Sequence, residues 1–250
     1  MVNLINPTII LDLLSPLVAF GYHPLSLKTA NGVVLDKPGK ASYNSPASFL
    51  LIVLLKAISK ILERVMTVRL SAIARSNGLL HHNQFGSLPG LSSYDACLTL
   101  THEVKTLQRP RLKVSTLFLD IKAGFDNVNA STLRARLLAS QVPSYVVDWV
   151  SSFRSERTCT LVFQGSPNLS SPVSVGTPQE CPISLLLFWI YVSPLHMSIP
   201  KGLMVSYVDE FSITVASLTH RGNIRKLQGL FNTVGTKDRD IGVSFSVTNH

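Results

Sequence analysis

The hydrophobic pattern of the chain changes irregularly between helical and strand spacing, and this irregularity limits the folds that it can adopt. Apolar residues recur at helical spacing over residues 57–78, whereas residues 114–121 are short, β-branched and apolar, as in a buried strand. A parallel sheet would require strand and helix to alternate regularly along the chain. We therefore predict an α+β fold in which an antiparallel sheet packs on helices.

The same patterns predict the remaining elements. Further helices are expected at residues 94–108, 131–140, 144–155, 182–196 and 221–238. Hairpins are expected at residues 158–176 and 203–217, and a final strand at residues 241–248.

Charge and apolar content limit the class of partner. Lys and Arg number 23 against 14 Asp and Glu, which gives a net charge of +9. This excess favours a polyanionic partner such as nucleic acid, although an ordinary basic protein has a similar composition. The apolar runs at residues 49–55 and 183–192 are shorter than the roughly 18 residues that span a bilayer, so we predict buried core and no membrane partner.

The cysteines and the N-terminal segment indicate where the protein acts. Cys97, Cys159 and Cys181 show neither the spacing of a zinc site nor that of a disulfide framework, so reduced thiols are expected. Residues 1–47 contain five prolines and the two turn dipeptides Asn31-Gly32 and Pro38-Gly39, and they lack a basic leader. We predict a poorly structured N-terminal arm, no secretion, and an intracellular location in the nucleus or cytoplasm.

Two aspartates lie at the ends of predicted strands. Asp120 closes the strand at residues 114–121, and Asp209 lies at the turn of the hairpin pattern over residues 203–217. Carboxylates at the ends of neighbouring strands supply the oxygen ligands that Mg²⁺ prefers, and two divalent metals about 4 Å apart catalyse nucleotidyl transfer. A single aspartate at a strand end is more often a turn former or a helix cap, so each residue taken alone favours that interpretation.

Three ordered motifs resemble those of the reverse transcriptases of non-LTR retrotransposons. The first polymerase motif is similar to FLDIKAGFDNV, the second to GTPQECPISLLLFWIYVSPL, and the YxDD box to SYVDEFSITVAS. Upstream, SFLLIVLLKAISKILERVMTVRL and HHNQFGSLPGLSSYDA resemble the fingers motifs of this family. The resemblance covers residues 23–248. It implies a fingers-palm polymerase fold with a small antiparallel palm sheet, with fingers-like residues 48–113 and palm-like residues 114–250.

The resemblance also implies roles for individual residues. Asp120 and Asp209 would bind catalytic Mg²⁺, or Mn²⁺ in its place, with Glu210 as the second acid of the box and the main-chain carbonyl of Ile121 as a further ligand. Phe125 would stack under the incoming sugar and exclude a 2′-hydroxyl, although a buried core Phe is the alternative. In the second motif, Gln179 would contact the nucleotide, or else be a solvated turn residue.

The implied partners are an RNA template, a DNA primer and deoxynucleoside triphosphates, and no obligate protein partner is evident. Four basic residues on or beside the first long helix are candidates for phosphate contacts, with a solvated helix face as the alternative: Lys56, Lys60, Arg64 and Arg69.

Several positions depart from the family pattern. Glu210 replaces the second aspartate of the box, which moves the carboxylate by about 1.5 Å, and a misplacement of that order reduces rates about a hundredfold. Where the family has a glycine and a small residue, this chain has Glu180 and Cys181, and a carboxylate there opposes triphosphate binding. The order Ala123-Gly124 reverses the order found in many relatives, which we expect to be tolerated.

Further departures lie in the fingers and at the C-terminus. Leu50 and Leu88 stand where relatives carry arginines, and the chain ends before the lysine-containing motif and the thumb of the family, so we expect the thumb to be absent. Three hypotheses follow: an RNA-directed DNA polymerase domain with impaired or no activity, a non-catalytic remnant that binds RNA or DNA through basic fingers residues, or an unrelated α+β protein.

Overall fold

The computed structural model describes two compact units. One consists of residues 1–73 and 134–184, and the other of residues 74–133 and 185–250. Within them the described residues are 7–40, 42–45, 48–86, 90–163, 166–173, 176–178, 181–200 and 202–246. Both units draw on the N-terminal and the C-terminal halves of the chain. The expected division into fingers-like residues 48–113 and palm-like residues 114–250 follows other boundaries and stays a prediction.

Helices and strands alternate irregularly, as the hydrophobic pattern predicts. In the described part of the chain the helices are α1 Pro7–Ala19, α2 Ala57–Ser76, α3 Ser93–Leu107, α4 Ala130–Ala139, α5 Ser144–Arg154, α6 Ser184–Met197 and α7 His220–Ile241, with a 3₁₀ turn at Leu25–Leu27. The strands are β1 Thr29–Asp36, β2 Phe49–Leu54, β3 Gln84–Phe85, β4 Lys113–Ile121, β5 Arg157–Phe163, β6 Ser166–Val173, β7 Met204–Tyr207, β8 Glu210–Ser217 and β9 Phe245–Ser246. The α+β class is therefore confirmed.

The first unit contains a four-stranded sheet in the order β2-β1-β5-β6. Strands β1 and β2 pair antiparallel, β5 and β6 form the predicted hairpin, and β1 and β5 pair parallel. The N-terminal segment is thus part of the fold, and the expectation of a poorly structured arm is wrong for its described residues. Pro7 is the first residue of α1, and Pro24 and Pro38 lie outside the regular elements, whereas Pro16 lies inside α1, where it removes one backbone donor.

The apolar run at residues 49–55 is not buried core. It forms β2 at the edge of the first sheet, and its side chains at Leu50, Leu51 and Leu54 are 44%, 43% and 50% exposed. An apolar run of this length does not reveal how many of its faces are covered. Leu50, where relatives carry an arginine, is one of these partly exposed residues.

The second unit contains a five-stranded sheet in the order β3-β7-β8-β4-β9. Strand β8 pairs antiparallel with both β7 and β4, and β9 extends the sheet beside β4. This core is the antiparallel sheet that the sequence predicts. Strand β3, however, pairs parallel with β7, so that the sheet as a whole is mixed.

Helix α6 is the most deeply buried element. The side chains from Leu186 to Val192 are 0% exposed, which confirms the prediction of buried core for residues 183–192. Helices α2, α3, α4, α5 and α7 also follow the predicted helical patterns, and α3 begins with a capping box in which Ser92 and Asp95 bond reciprocally. Within the described residues, no helix combines the length and the apolar character that crossing a lipid bilayer requires.

Candidate active site in the second unit

The pairing of β4 with β8 brings two acidic residues together at one end of the sheet. The antiparallel register runs from Lys113 opposite Ser217 to Asp120 opposite Glu210. Residues directly opposite each other in such a pair project from the same face, with Cβ atoms about 5 Å apart. Like charges in that position destabilise a sheet, so the pairing of two carboxylates is unfavourable for folding and makes this end of the sheet a candidate functional site.

Asp209 lies beside this pair, in the two-residue turn between β7 and β8. Tyr207 pairs with Glu210, which leaves Val208 and Asp209 at the tip of the hairpin. The backbone N–H of Ile121 donates a hydrogen bond to the carbonyl oxygen of Asp209 over 3.1 Å. The end of β4 and the tip of the hairpin are therefore fastened together by their main chains. Three candidate residues, Asp120, Asp209 and Glu210, are neighbours through this pairing.

The pKa of Asp209 reflects its burial first and the neighbouring charge of Asp120 last. Burial raises the pKa of the Asp209 carboxyl above its usual value, a backbone hydrogen bond opposes that shift, and the charge of Asp120 adds to it. A cation between the two carboxylates would reverse the effect, because it stabilises both negative charges.

Val208 adopts a backbone conformation that β-branched residues rarely adopt. Its φ is +56°, in the left-handed region, at the first turn position of the hairpin. Tight two-residue hairpins require positive φ there and usually place glycine or asparagine in it. The strain, of the order of 1–3 kcal/mol, is located immediately before Asp209.

Strand β3 supports the hairpin from its other side. The backbone N–H of Ser206 donates to the carbonyl of Asn83 (3.0 Å), and that of Val208 donates to the carbonyl of Phe85 (3.1 Å). Gly86 then turns away with φ +113°, and a Cβ at this position would lie 3.0 Å from a methyl group of Val208 and 3.1 Å from the ring of Tyr207. Only glycine fits both the conformation and the space.

Buried side chains complete this support. The Asn83 amide donates to the carbonyl of Met204 (3.0 Å), and the Gln84 amide donates to that of Trp189 (3.3 Å). Composition and periodicity predict only turns for residues 81–93. The resemblance of HHNQFG to a fingers motif indicates that this segment has a function in the family. It does not predict that the segment pairs with the hairpin of β7 and β8.

His196 packs against the same hairpin. Its Nε2 atom lies 2.8 Å from the Ser206 hydroxyl, and its ring stacks on that of His81 at 5.0 Å. Burial lowers the pKa of His196 to about 3, and the charges of His81 and His82 act in the same direction. The ring is therefore neutral in the folded protein at neutral pH.

The turn after β4 positions Phe125. Its ring stacks on that of Phe188 in α6, with centroids 4.8 Å apart and planes 30° apart. A Cβ on Gly124 would lie 2.8 Å from the Phe188 ring, while Ala123 has φ +50°. The order Ala123-Gly124 therefore places the methyl group at the residue with left-handed backbone. It places glycine at the residue where a Cβ would collide with Phe188. Phe125 is half-buried, so one part of its surface remains accessible.

The metal-ligand donors are few. Among the residues that the structure describes, no three of His, Cys, Asp or Glu form a group that could hold a metal ion. The candidate ligands are thus the pair Asp120 and Asp209 with main-chain oxygen, and Glu210 does not complete a three-carboxylate set. Ile121, whose carbonyl is the proposed further ligand, is 2% exposed. Asp126 is exposed in the turn, and Asn129 caps α4 by accepting a hydrogen bond from the N–H of Thr132.

Three residues singled out by the motifs, Gln179, Glu180 and Leu88, lie outside the described residues. Cys181 is described and is buried in the first unit, where its thiol interacts with Glu63 and Arg157. Burial raises the pKa of the Cys181 thiol, and the Glu63 carboxylate raises it further. The thiol is therefore a packed, protonated group.

The basic candidates of the fingers lie in the first unit and do not share one face. Lys56 and Arg64 are exposed and Lys60 is half-buried, and the helical spacing places these three on the same side of α2. The Lys56 ammonium donates to the carbonyl of Ser26 over 2.6 Å. Arg69 lies on the opposite side, where it lines an apolar cavity of about 460 Å³ between α1 and α2. Three of the four candidates thus lie on one side of α2.

Comparison with known proteins reveals relatives among transposon polymerases. The chain is 25% identical over 205 residues to the "Probable RNA-directed DNA polymerase from transposon X-element" of Drosophila melanogaster, which covers 80% of this chain and 22% of that protein. It is 28% identical over 206 residues to the "RNA-directed DNA polymerase from mobile element jockey" of the same organism, which covers 79% and 21%. The chain thus spans less than a quarter of the length of the curated relatives that it matches.

The fold is also similar to that of a solved structure. Apo telomerase from Candida tropicalis, truncated from its C-terminal domain, matches with a TM-score of 0.56 and 12% sequence identity, over 90% of this chain and 51% of that one. At this identity the likeness concerns the fold. The sequence profile of the family described as "Reverse transcriptase (RNA-dependent DNA polymerase)" matches residues 36–248, which is most of the chain. The protein therefore belongs to the reverse transcriptase family, as its three motifs predict.

Proposed function

We propose that the chain is the RNA-directed DNA polymerase domain of a retrotransposon and that its activity is impaired. The observation that carries the proposal is the pairing of Asp120 with Glu210 at the end of the β4–β8 ladder, with Asp209 fastened beside them by the Ile121 hydrogen bond. The transposon polymerases to which the chain is similar support this assignment.

In this proposal, Asp120 and Asp209 hold Mg²⁺ or Mn²⁺, with the carbonyl of Ile121 as a further ligand. Carboxylate and carbonyl oxygens are the donors that these ions prefer. Burial raises the pKa of Asp209, and the negative charge of Asp120 adds a smaller increase. When bound, the metal would activate the primer 3′-hydroxyl and neutralise charge on the triphosphate. The role of the protein is to hold the two carboxylates in place, through the backbone contacts of β4, β8 and the hairpin.

Phe125 is the proposed base of the sugar site. Its contact with the buried ring of Phe188 limits the movement of the Phe125 side chain, so that a 2′-hydroxyl above it would meet a surface that cannot yield. The substrate in this proposal is a deoxynucleoside triphosphate, and Gln179 contributes a further contact to it. Template and primer are RNA and DNA, and the proposed place of action is the nucleus or the cytoplasm.

Two substitutions explain the proposed impairment. Glu210 lies directly opposite Asp120 and carries one methylene more than aspartate. Its carboxylate therefore lies farther from its own backbone than an aspartate carboxylate would. Glu180 adds negative charge in the motif that would meet the triphosphate.

Primer extension on an RNA template with Mg²⁺ tests this function. We expect weak or no extension by the natural chain, and a gain of about a hundredfold in Glu210→Asp combined with Glu180→Gly. Asp120→Asn in this repaired chain removes the gain, whereas Asp126→Asn, the matched change at an exposed neighbour, preserves it. Failure of the repaired chain to extend a primer would contradict the proposal.

A second candidate function is a non-catalytic remnant that binds RNA or DNA through the fingers. The observation in its favour is the cluster of Lys56, Lys60 and Arg64 on one side of α2. Salt-sensitive RNA binding that is lost in Lys60→Gln/Arg64→Gln but unchanged in Asp120→Asn, with no extension by the repaired chain, would select this function.

A further inference from the structure

The end of the five-stranded sheet that lies away from the carboxylates is strongly basic. Two segments meet there, residues 105–113 with four Lys and Arg and residues 217–226 with three, and neither segment contains an Asp or a Glu. Lys113 and Asp120 are at opposite ends of β4, which corresponds to about 24 Å along the strand. The basic end of the sheet is therefore remote from the candidate active site.

Specific contacts hold the two segments together. Lys113 pairs with Ser217 at the end of the β4–β8 ladder that lies away from Asp120. The buried Asn223 amide of α7 donates to the carbonyl of Lys113 (2.8 Å) and to the hydroxyl of Ser115 (2.9 Å). The first turns of α7 are thus fixed against the start of β4, so the exposed basic residues of the two segments lie at the same end of the sheet. We name this surface the basic end; its exposed cationic residues are Lys105, Arg109, Arg111, Lys113, Arg221, Arg225 and Lys226.

This arrangement opposes the preferences of the local backbone. The turn from Arg109 to Leu112 has Pro110 at its second position and closes with a 3.0 Å hydrogen bond, and Arg111 has φ +71°, where glycine is usual. Helix α7 likewise has basic residues instead of acidic ones in its first turns, although the helix N-terminus is already positive. Each feature is unfavourable in the protein alone, and a bound polyanion would offset the repulsion at the helix N-terminus.

We propose that the basic end binds the phosphate backbone of a nucleic acid strand at a distance from the polymerase site. Arginine is the predominant residue of this surface, and its planar guanidinium donates two parallel hydrogen bonds to a phosphate. Two exposed apolar side chains, Leu218 (69%) and Ile224 (55%), lie among the cations and provide contacts for sugars and bases. The interaction requires no catalysis, so it holds whether or not the polymerase is active.

The test is fluorescence anisotropy of a short labelled single-stranded RNA with the full chain, over a series of salt concentrations. In Arg221→Gln/Arg225→Gln we expect affinity to fall about tenfold at low salt, and the slope of log affinity against log salt to decrease by about 1.4. The matched control is Lys37→Gln/Lys40→Gln, which removes the same charge from the loop after β1 and leaves the slope unchanged.

A second variant separates loss of binding from loss of folding. Arg109→Gln/Arg111→Gly removes two charges and also relieves the positive φ at position 111, so the protein gains stability while its RNA binding weakens. A wild-type salt slope in both basic-end variants, or an equal decrease in the control, would overturn the proposal. So would competition by polyglutamate as strong as that by RNA, since this would indicate a site for acidic protein segments.

Discussion

The reversed Ala123-Gly124 pair yields a quantitative prediction about the turn that carries Phe125. Ala123 adopts the left-handed conformation at φ +50°, in which its Cβ crowds the backbone. Ala123→Gly removes this crowding, which stabilises the folded state by about 1–2 kcal/mol. The greater freedom of glycine in the unfolded chain offsets about 0.4–1 kcal/mol of this gain. The expected net stabilisation is therefore about 0.5–1 kcal/mol, or roughly 2 °C in melting temperature for a chain of this size.

The converse change, Gly124→Ala, has the opposite sign. Its Cβ would lie 2.8 Å and 2.9 Å from two ring atoms of Phe188 and 3.2 Å from the Ile121 side chain. The Phe188 ring is fully buried and stacks on Phe125, so it cannot move without disturbing its neighbours. Overpacking of this kind destabilises a protein by about 1–3 kcal/mol.

Urea denaturation of both single variants, followed by circular dichroism, measures the two effects. Gln141→Gly is the matched control for the first, because Gln141 also has positive φ (+56°), in a turn of the other unit. The expected order of stability is Ala123→Gly above wild type and Gly124→Ala below it. A destabilised Ala123→Gly or an unchanged Gly124→Ala would refute the conformational argument.

Other predictions concern the support of the hairpin and the sheet. Because burial lowers the pKa of His196 to about 3, the unfolded state binds its proton first as pH falls, so wild type loses about 1 kcal/mol more per pH unit than His196→Gln between about pH 6 and pH 4. Asp209, whose pKa is raised, contributes a slope of the opposite sign in both proteins, so the difference between the wild-type and variant slopes isolates the histidine. Equal slopes of stability against pH in urea titrations would contradict the prediction. Gly86→Ala should cost about 2–3 kcal/mol through its positive φ and its contact with Tyr207, and a wild-type urea midpoint would exclude that strain. Asn223→Ala should cost about 2 kcal/mol, measured in the same way, because the Lys113 carbonyl and the Ser115 hydroxyl lose their donor.

Local patterns predicted most elements of the fold. The helical spacing of α2 and its end near Gly78, the buried run of α6, and the hairpin of β7 and β8 follow from periodicity and turn residues alone. Each is a property of neighbouring residues, so a single sequence contains the necessary information.

Non-local pairings were not predictable in this way. Strand β3 consists of two residues, and only its alignment with β7 makes it a strand. Strand β1 forms within a segment whose prolines suggested an arm, because β2 and β5 flank it on both sides. The exposure of Leu50 and Leu51 likewise depends on which strand lies at the sheet edge.

The candidate site was predictable to a similar degree. The motifs identified Asp120 and Asp209, and the pairing of β4 with β8 explains how residues far apart in sequence become neighbours. Arg69 was grouped with Lys60 and Arg64 because it is near them in sequence. It follows Lys60 by nine residues, which is two and a half helical turns, so the two residues lie on opposite sides of α2. The basic end was not predictable from local patterns, because its two segments are joined by non-local contacts, namely the pairing of Lys113 with Ser217 and the hydrogen bonds of Asn223.

The central claim is that Asp120 and Asp209 form a divalent-metal site. Binding of Mn²⁺, a spectroscopic substitute for Mg²⁺, can be measured by electron paramagnetic resonance on the full chain without any polymerase activity. We expect saturable binding that weakens at least about tenfold in Asp120→Asn and in Asp209→Asn, but not in Asp126→Asn. Equal Mn²⁺ affinity in all four proteins would contradict it.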